Sequence, residues 1–337
     1  MNTSPLNGDW EVLDSDRELF QRELQSFVPD RIFDAHCHLY ERAQFLADTP
    51  ALIASGPERA SIDVFRQQMN LMHPGRRCDG LFFGYPHPRI DMDAANRFVA
   101  GEIADQPACR AQMLIRPEMS AEFVAETVRK HAFAGLKCYH VYTAEPPTFE
   151  APITSYLTEE HVRIAHEQNL SVTLHMVRAR AMADPSNQEI IRRYCQRYPG
   201  LRLILAHAAR GFNPHHTIEG IGALRGLTNV WCDTSAVTEA GAFEAIVRTL
   251  GVSRLLYGAD FPVSHMRARC VALGDSFLWI SANNTQFEAA YGDVRPALVA
   301  LESLRALKLA CWNLRLADSD VEKLFHGNAA ELYSIEA

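Results

Sequence analysis

Eight short apolar or β-branched runs recur along the chain, most of them followed by polar residues and a segment of helical period, and this alternation limits the folds open to it. The runs are RIFDA at 31, CDGLFFGY at 78, RAQMLI at 110, AGLKCY at 134, LSVTLHM at 170, RLILAH at 202, NVWCDTS at 229 and RLLYGAD at 254. Between them lie SAEFVAETVRKHAF, TEEHVRIAHEQN, NQEIIRRYCQRY and EAGAFEAIVRTLG. SAEF and TEEH put Ser or Thr ahead of acids, as a helix N-terminus prefers. Strands alternating with helices imply right-handed βαβ units and a parallel sheet. Eight such units fit a closed (β/α)8 TIM barrel better than an open sheet.

The chain has 337 residues and is 47% hydrophobic, enough for one large core. It exceeds the ~250 residues usual for such a barrel, so extensions are expected. No repeat, low-complexity stretch or Pro/Ser-rich linker marks a boundary, and residues 1–337 read as a single domain. Residues 1–30 carry one amphipathic helix, DRELFQRELQSF. Residues 39–77 form an insertion after the first strand, with a helix near IDVFRQQMNLM, placed to cover the barrel mouth as a lid offering Tyr40, Arg42 or His73. Residues 265–337 read as helical, from MRARCVALGDSFLWI to DSDVEKLFHGNAAELY.

The formal net charge is −8 and no run of five cations occurs, which argues against a nucleic-acid or anionic-membrane surface but not against a small anion. The first twenty residues lack the basic and apolar regions of a signal peptide, and no apolar stretch reaches the ~18 residues of a membrane span. Eight scattered cysteines form no CxxC pair. A reduced, cytoplasmic protein is expected, with a homodimer as the default assembly.

The stretch DAHCH at 34 places two histidines one residue apart. Side chains alternate along a strand, so Asp34, His36 and His38 should share one face, with Ala35 and Cys37 on the other. His175 ends the fifth run, His207 the sixth and Asp260 the eighth, the ends where a parallel barrel carries its chemistry. Imidazoles and a carboxylate are the usual ligands of Zn²⁺ and related ions. A metal lowers the pKa of bound water from ~15.7 towards ~7, and Asp260 is placed to take the remaining proton. Asp34 reads as the acceptor of a ligand's ring N–H. Asp233 could fill that role or simply bond at its strand end.

This order of residues resembles the amidohydrolase superfamily, in its amidohydrolase family 2 branch, through DAHCHL, AGLKCY, VTLH, LILAHAAR, NVWCDTSA, LLYGADFP and HGNAAELY. That branch includes aminocarboxymuconate-semialdehyde and resorcylate decarboxylases and pyrone-dicarboxylate lactonases. The resemblance implies His36, His38, His175 and Asp260 as metal ligands. His207 would be a ligand in a two-metal site, and in a one-metal site it would orient water or polarise the substrate. Lys137 lies where binuclear members carry a carboxylated lysine, and otherwise would face the substrate or be structural. One divalent cation is expected, zinc being the leading candidate and a second metal the alternative.

Arg116, Arg178 and Arg210 follow the third, fifth and sixth runs, Tyr139, His140 and Tyr142 the fourth, and His265 the eighth. A barrel would bring them to its rim, where guanidinium forks suit a small carboxylic acid. The expected activity is metal-dependent hydrolysis of an amide, lactone or ester, with Asp260 and His207 as catalytic groups and Arg116, Tyr139, His140, Arg178 and Arg210 holding the substrate. The alternative is a metal-dependent decarboxylase or lyase of an unsaturated or aromatic acid. A uronate-isomerase-like enzyme and a TatD-like phosphodiesterase rank lower; the latter carries a glutamate where this chain has GLKCYH.

Overall fold

A computed structural model describes residues 8–144, 146–281 and 296–335. All eight expected strands form: β1 (Arg31–Glu41), β2 (Arg77–Gly84), β3 (Arg110–Leu114), β4 (Gly135–Tyr139), β5 (Ser171–His175), β6 (Arg202–Leu205), β7 (Val230–Asp233) and β8 (Leu255–Leu256). Each pairs with the next in parallel register. The ring closes where the chain after β8 runs beside β1. There Ala35 N–H donates to Tyr257 O (2.8 Å), Asp260 N–H to His36 O (3.0 Å) and His38 N–H to Phe261 O (2.7 Å). The fold is a TIM barrel.

The intervening helices bury the faces their periodicity predicts. Ala121–His131 is capped by the Ser120 hydroxyl and buries Val124, Ala125 and Val128. Glu159–Glu167 is capped by Thr158 and buries Val162, Ile164 and Ala165. The outer core lies between strands and helices. A separate cluster inside the barrel holds Phe33, Ala35, Leu81, Phe83, Ile204 and Leu256, closed from below by Leu332 and Tyr333 of the last helix.

The extensions depart from expectation in one place. The N-terminal helix forms over Asp14–Leu19 and continues as a π turn, and Ile62–Met72 is helical as read. The stretch from 268 is instead a β-hairpin, β9 (Ala268–Leu273) and β10 (Ser276–Ser281), in antiparallel register. Ala268 and Cys270 are buried with Arg269 exposed between them, and Gly274 takes φ +58° in the two-residue turn, where a side chain would be strained. Helices resume at Val299–Leu314 and Asp318–Glu322. Residues 1–7 and 282–295 of the expected extensions lie outside the described residues.

Candidate metal centre and active site

The barrel's C-terminal end gathers the predicted groups. His36 and His38 come from β1, Lys137 from β4, His175 from β5, and Asp233 ends β7. His207 follows β6, and Asp260 lies four residues past β8. All are buried. Alternation along β1 does not persist as predicted, because its register against β2 shifts between Asp34 and Cys37. This bulge leaves Ala35 inside the barrel and sends Cys37 to the outer core, while both imidazoles reach the mouth with ring centres 5.4 Å apart.

Three rings have their tautomer fixed by what they touch. His36 Nδ1 lies 2.9 Å from Asp233 Oδ2, His38 Nδ1 3.1 Å from Gly84 O, and His207 Nδ1 3.0 Å from Ser235 O. Carboxylates and carbonyls only accept, so each Nδ1 carries the proton and each Nε2 presents a lone pair, that of His36 also meeting Lys137 Nζ at 3.1 Å. The Nε2 atoms of His36 and His38 then face Asp260 Oδ1 at 3.6 and 3.3 Å. These are acceptor-to-acceptor contacts, unfavourable without a cation between them. The ligand atoms of His36, His38 and Asp260 lie within 4.8 Å of one another, as do those of His36, His207 and Asp233. The donor set fits a divalent metal. His175 joins neither group; its ring centre is 4.8 Å from that of His207 and 4.4 Å from that of Tyr139.

Electrostatics support neutral rings. Burial, helped by Lys137, holds the His36 imidazolium pKa down to about 3. Lys137 is fully buried, with Nζ 3.1 Å from His36 Nε2 and 4.4 Å from the Phe83 ring centre. Burial pulls its pKa to about 8 against the attraction of Asp233 and Asp260.

Asp34 does not take the role expected of it. Its Oδ1 accepts the backbone N–H groups of His36 and Ala259, at 3.0 and 2.9 Å, and no ring N–H. Asp233 takes that role, and only the three-dimensional closure of the barrel identifies it. The backbone of His207, Ala208, Ala209 and Arg210 is also unforeseen: φ is +57°, +52°, +58° and +57°, a left-handed turn of four non-glycine residues.

The three arginines differ. Arg178 is engaged by Ser186 and, at 3.4 Å, by Asp184. Arg116 donates to Ile90 O at 3.3 Å and lies over the Tyr142 ring. Arg210 donates to Arg178 O at 2.7 Å and lies over Phe277 of the hairpin. Among the described residues neither Arg116 nor Arg210 forms an ion pair within 4.0 Å, although Glu150 attracts the Arg210 guanidinium. His140 stacks on Tyr139 and approaches His175 to 5.5 Å. His265 is covered by Trp10 rather than open to the rim, and His73 is buried against Tyr257. From the 39–77 insertion, Phe45 sets its ring beside Tyr85, which packs on His38.

The family model described as Amidohydrolase matches residues 33–335. The chain belongs to this amidohydrolase family. It is an enzyme. No curated protein matches it in sequence. An amidohydrolase from Burkholderia multivorans with bound HEPES is similar in structure: TM-score 0.61, 14% identity, covering 90% of this chain and 99% of that one. A second crystal form of an amidohydrolase from that organism carries zinc, with a TM-score of 0.57 and the same identity and coverage. A Pseudomonas putida protein described as a 2-pyrone-4,6-dicarboxylic acid hydrolase gives a TM-score of 0.57 at 16% identity, covering 92% and 100%. A dihydroxybenzoic acid decarboxylase from a Polaromonas species, with bound manganese, gives 0.52 at 14%, covering 92% and 98%.

Proposed function

We propose that this amidohydrolase is a metal-dependent hydrolase of a small carboxylate-bearing amide, lactone or ester. The observation that carries the reading is the convergence of the His36 and His38 Nε2 lone pairs on the Asp260 carboxylate, at 3.6 and 3.3 Å. His36, His38 and Asp260 would hold one divalent ion, and His175 would complete the set by turning its ring inward. Zinc is the first choice, in keeping with the zinc-bound Burkholderia form. The bound ion supplies Lewis-acid polarisation of a carbonyl and acidification of water.

The protein's own groups do the rest. Asp260 accepts a proton from the attacking water and passes it to the leaving group. His207, with Nδ1–H held by Ser235 O, presents an acceptor to the cavity and orients that water. In this tautomer it cannot donate to an oxyanion. Arg210, with no close ion pair among the described residues, receives the substrate carboxylate. Arg116, over the Tyr142 ring, serves as a second fork, and Tyr139 and His140, packed by His175, contact the substrate. Lys137 acts as a buried cation beside His36 rather than as a carboxylated bridge. All eight cysteines are free and buried, in keeping with a reducing cytoplasm.

A second reading, decarboxylation of a planar acid, draws support from the same guanidiniums and from the fold shared with the Polaromonas decarboxylase. Metal analysis of the purified protein, then assay on carboxylated lactones and on hydroxylated aromatic acids with CO2 detection, separates the two. Carbonyl hydrolysis without CO2 release supports the first. A protein that retains no divalent ion after reconstitution overturns both. His36→Ala and Asp260→Asn should each abolish stoichiometric metal and activity together.

A further inference from the structure

Asp233 is fully buried and makes four bonds with its two oxygens. Oδ2 receives Nδ1–H of His36 at 2.9 Å. Oδ1 receives the backbone N–H of His207 at 2.9 Å, the backbone N–H of Ser235 at 3.1 Å, and the Ser235 hydroxyl. Four donors converge on these two oxygens, so Asp233 serves here only as an acceptor.

The His207 amide opens the left-handed turn that ends at Arg210. Left-handed helical backbone disfavours L-residues by about 1–2 kcal/mol each, so four in succession need outside support. Asp233 Oδ1 holds the first N–H. The Thr217 hydroxyl donates to Ala208 O at 2.9 Å, and Gly211 N–H returns to His207 O at 2.6 Å. One carboxylate therefore touches the metal-facing His36 through one oxygen and the support of His207 and Arg210 through the other.

We propose that Asp233 is the positioning residue of this site: it fixes Nδ1 as the protonated nitrogen of His36, and through the His207 amide it anchors the left-handed turn that delivers Arg210 to the mouth. This rests on the metal-site reading above. It adds that metal affinity and anion binding are coupled through a side chain that touches neither ligand. An asparagine can present its single carbonyl oxygen to only one of the two sides. If the amide nitrogen faces His36, the ring must present a lone pair at Nδ1 and an N–H to the metal position. If it faces His207, the turn loses its anchor.

The test uses full-length protein with histidine ¹⁵N labelling. In the wild type, the His36 and His207 resonances, assigned by loss in His36→Gln and His207→Gln, should show the Nδ1–H tautomer. Zinc affinity by chelator competition should fall roughly 10- to 100-fold in Asp233→Asn, the usual effect of removing a ligand's carboxylate partner. An Nε2–H tautomer for wild-type His36, or an Asp233→Asn variant in which both the zinc affinity and the His207 resonances are unchanged, overturns the proposal. The tautomer measurement stands even if Asp233→Asn does not fold. Failure of the wild type to bind zinc would instead strike the metal reading, and the tautomer result would still be read separately.

Discussion

Ala208 and Ala209 carry backbone that glycine would adopt freely, yet both are alanine at φ +52° and +58°. Strain at consecutive residues beside a reacting group points to a demand on position rather than stability. Ala208→Gly should therefore stabilise the fold by about 0.5–1 kcal/mol, the relieved strain less the added unfolded-state entropy. Thermal unfolding should shift up by roughly one or two degrees, while kcat/KM falls severalfold because Arg210 is no longer held. A variant that is less stable and equally active would refute this account of the turn. The strand-end histidines and Asp260 were legible in the sequence because each closes an apolar run. The choice of Asp233 over Asp34 was left open by the sequence, since a register shift in β1 breaks the alternation and β7 meets β1 only across the closed barrel.

At the scale of elements, the hairpin of β9 and β10 does more than extend the chain. Phe277 and Trp279 pack on Phe212, which stacks on His207, and the Arg210 guanidinium lies over Phe277. The tip is tied down by Asn213, which donates to Gly274 O and Ser276 O, and by His216 on Asp275 at 2.9 Å. The hairpin is a wall of the mouth. Phe277 is half-buried, so Phe277→Ala should lose about 2 kcal/mol, less than a fully buried ring would. Amide exchange should quicken across Ala268–Ser281 while β4 to β7 stay protected; uniform quickening would contradict a local role for this wall. The eight barrel strands were readable from their runs, and so were the Ser and Thr helix caps. The hairpin was not, because its short apolar run, RARCVAL, suits either period until the Gly-Asp turn is weighed.

Across the whole molecule, the barrel is clasped from the N-terminal side. Arg267, after β8, forms a buried two-pronged pair with Asp16 at 3.0 and 2.6 Å and also bonds to the carbonyl of Glu11. Behind this clasp sit two buried histidines. His73 Nε2 lies 2.9 Å from the Tyr257 hydroxyl, and His265 stacks under Trp10. Burial, with Arg76 adding to it, lowers the His73 pKa to about 4; burial, with His73 adding to it, lowers His265 to about 3. Both folded values lie below the ~6.5 of an exposed imidazole. Above that pH neither state binds a proton and the pair contributes nothing to the pH dependence. As pH falls from 6.5, the unfolded chain takes up protons that the folded protein excludes, so stability is lost until the folded values are reached. Each excluded proton contributes a slope of up to about 1.4 kcal/mol per pH unit. Unfolding temperature should therefore drop between pH 7 and 5, and His73→Gln, which can still bond to Tyr257, should drop less steeply. Parallel curves for the two proteins would show that His73 does not couple folding to protons.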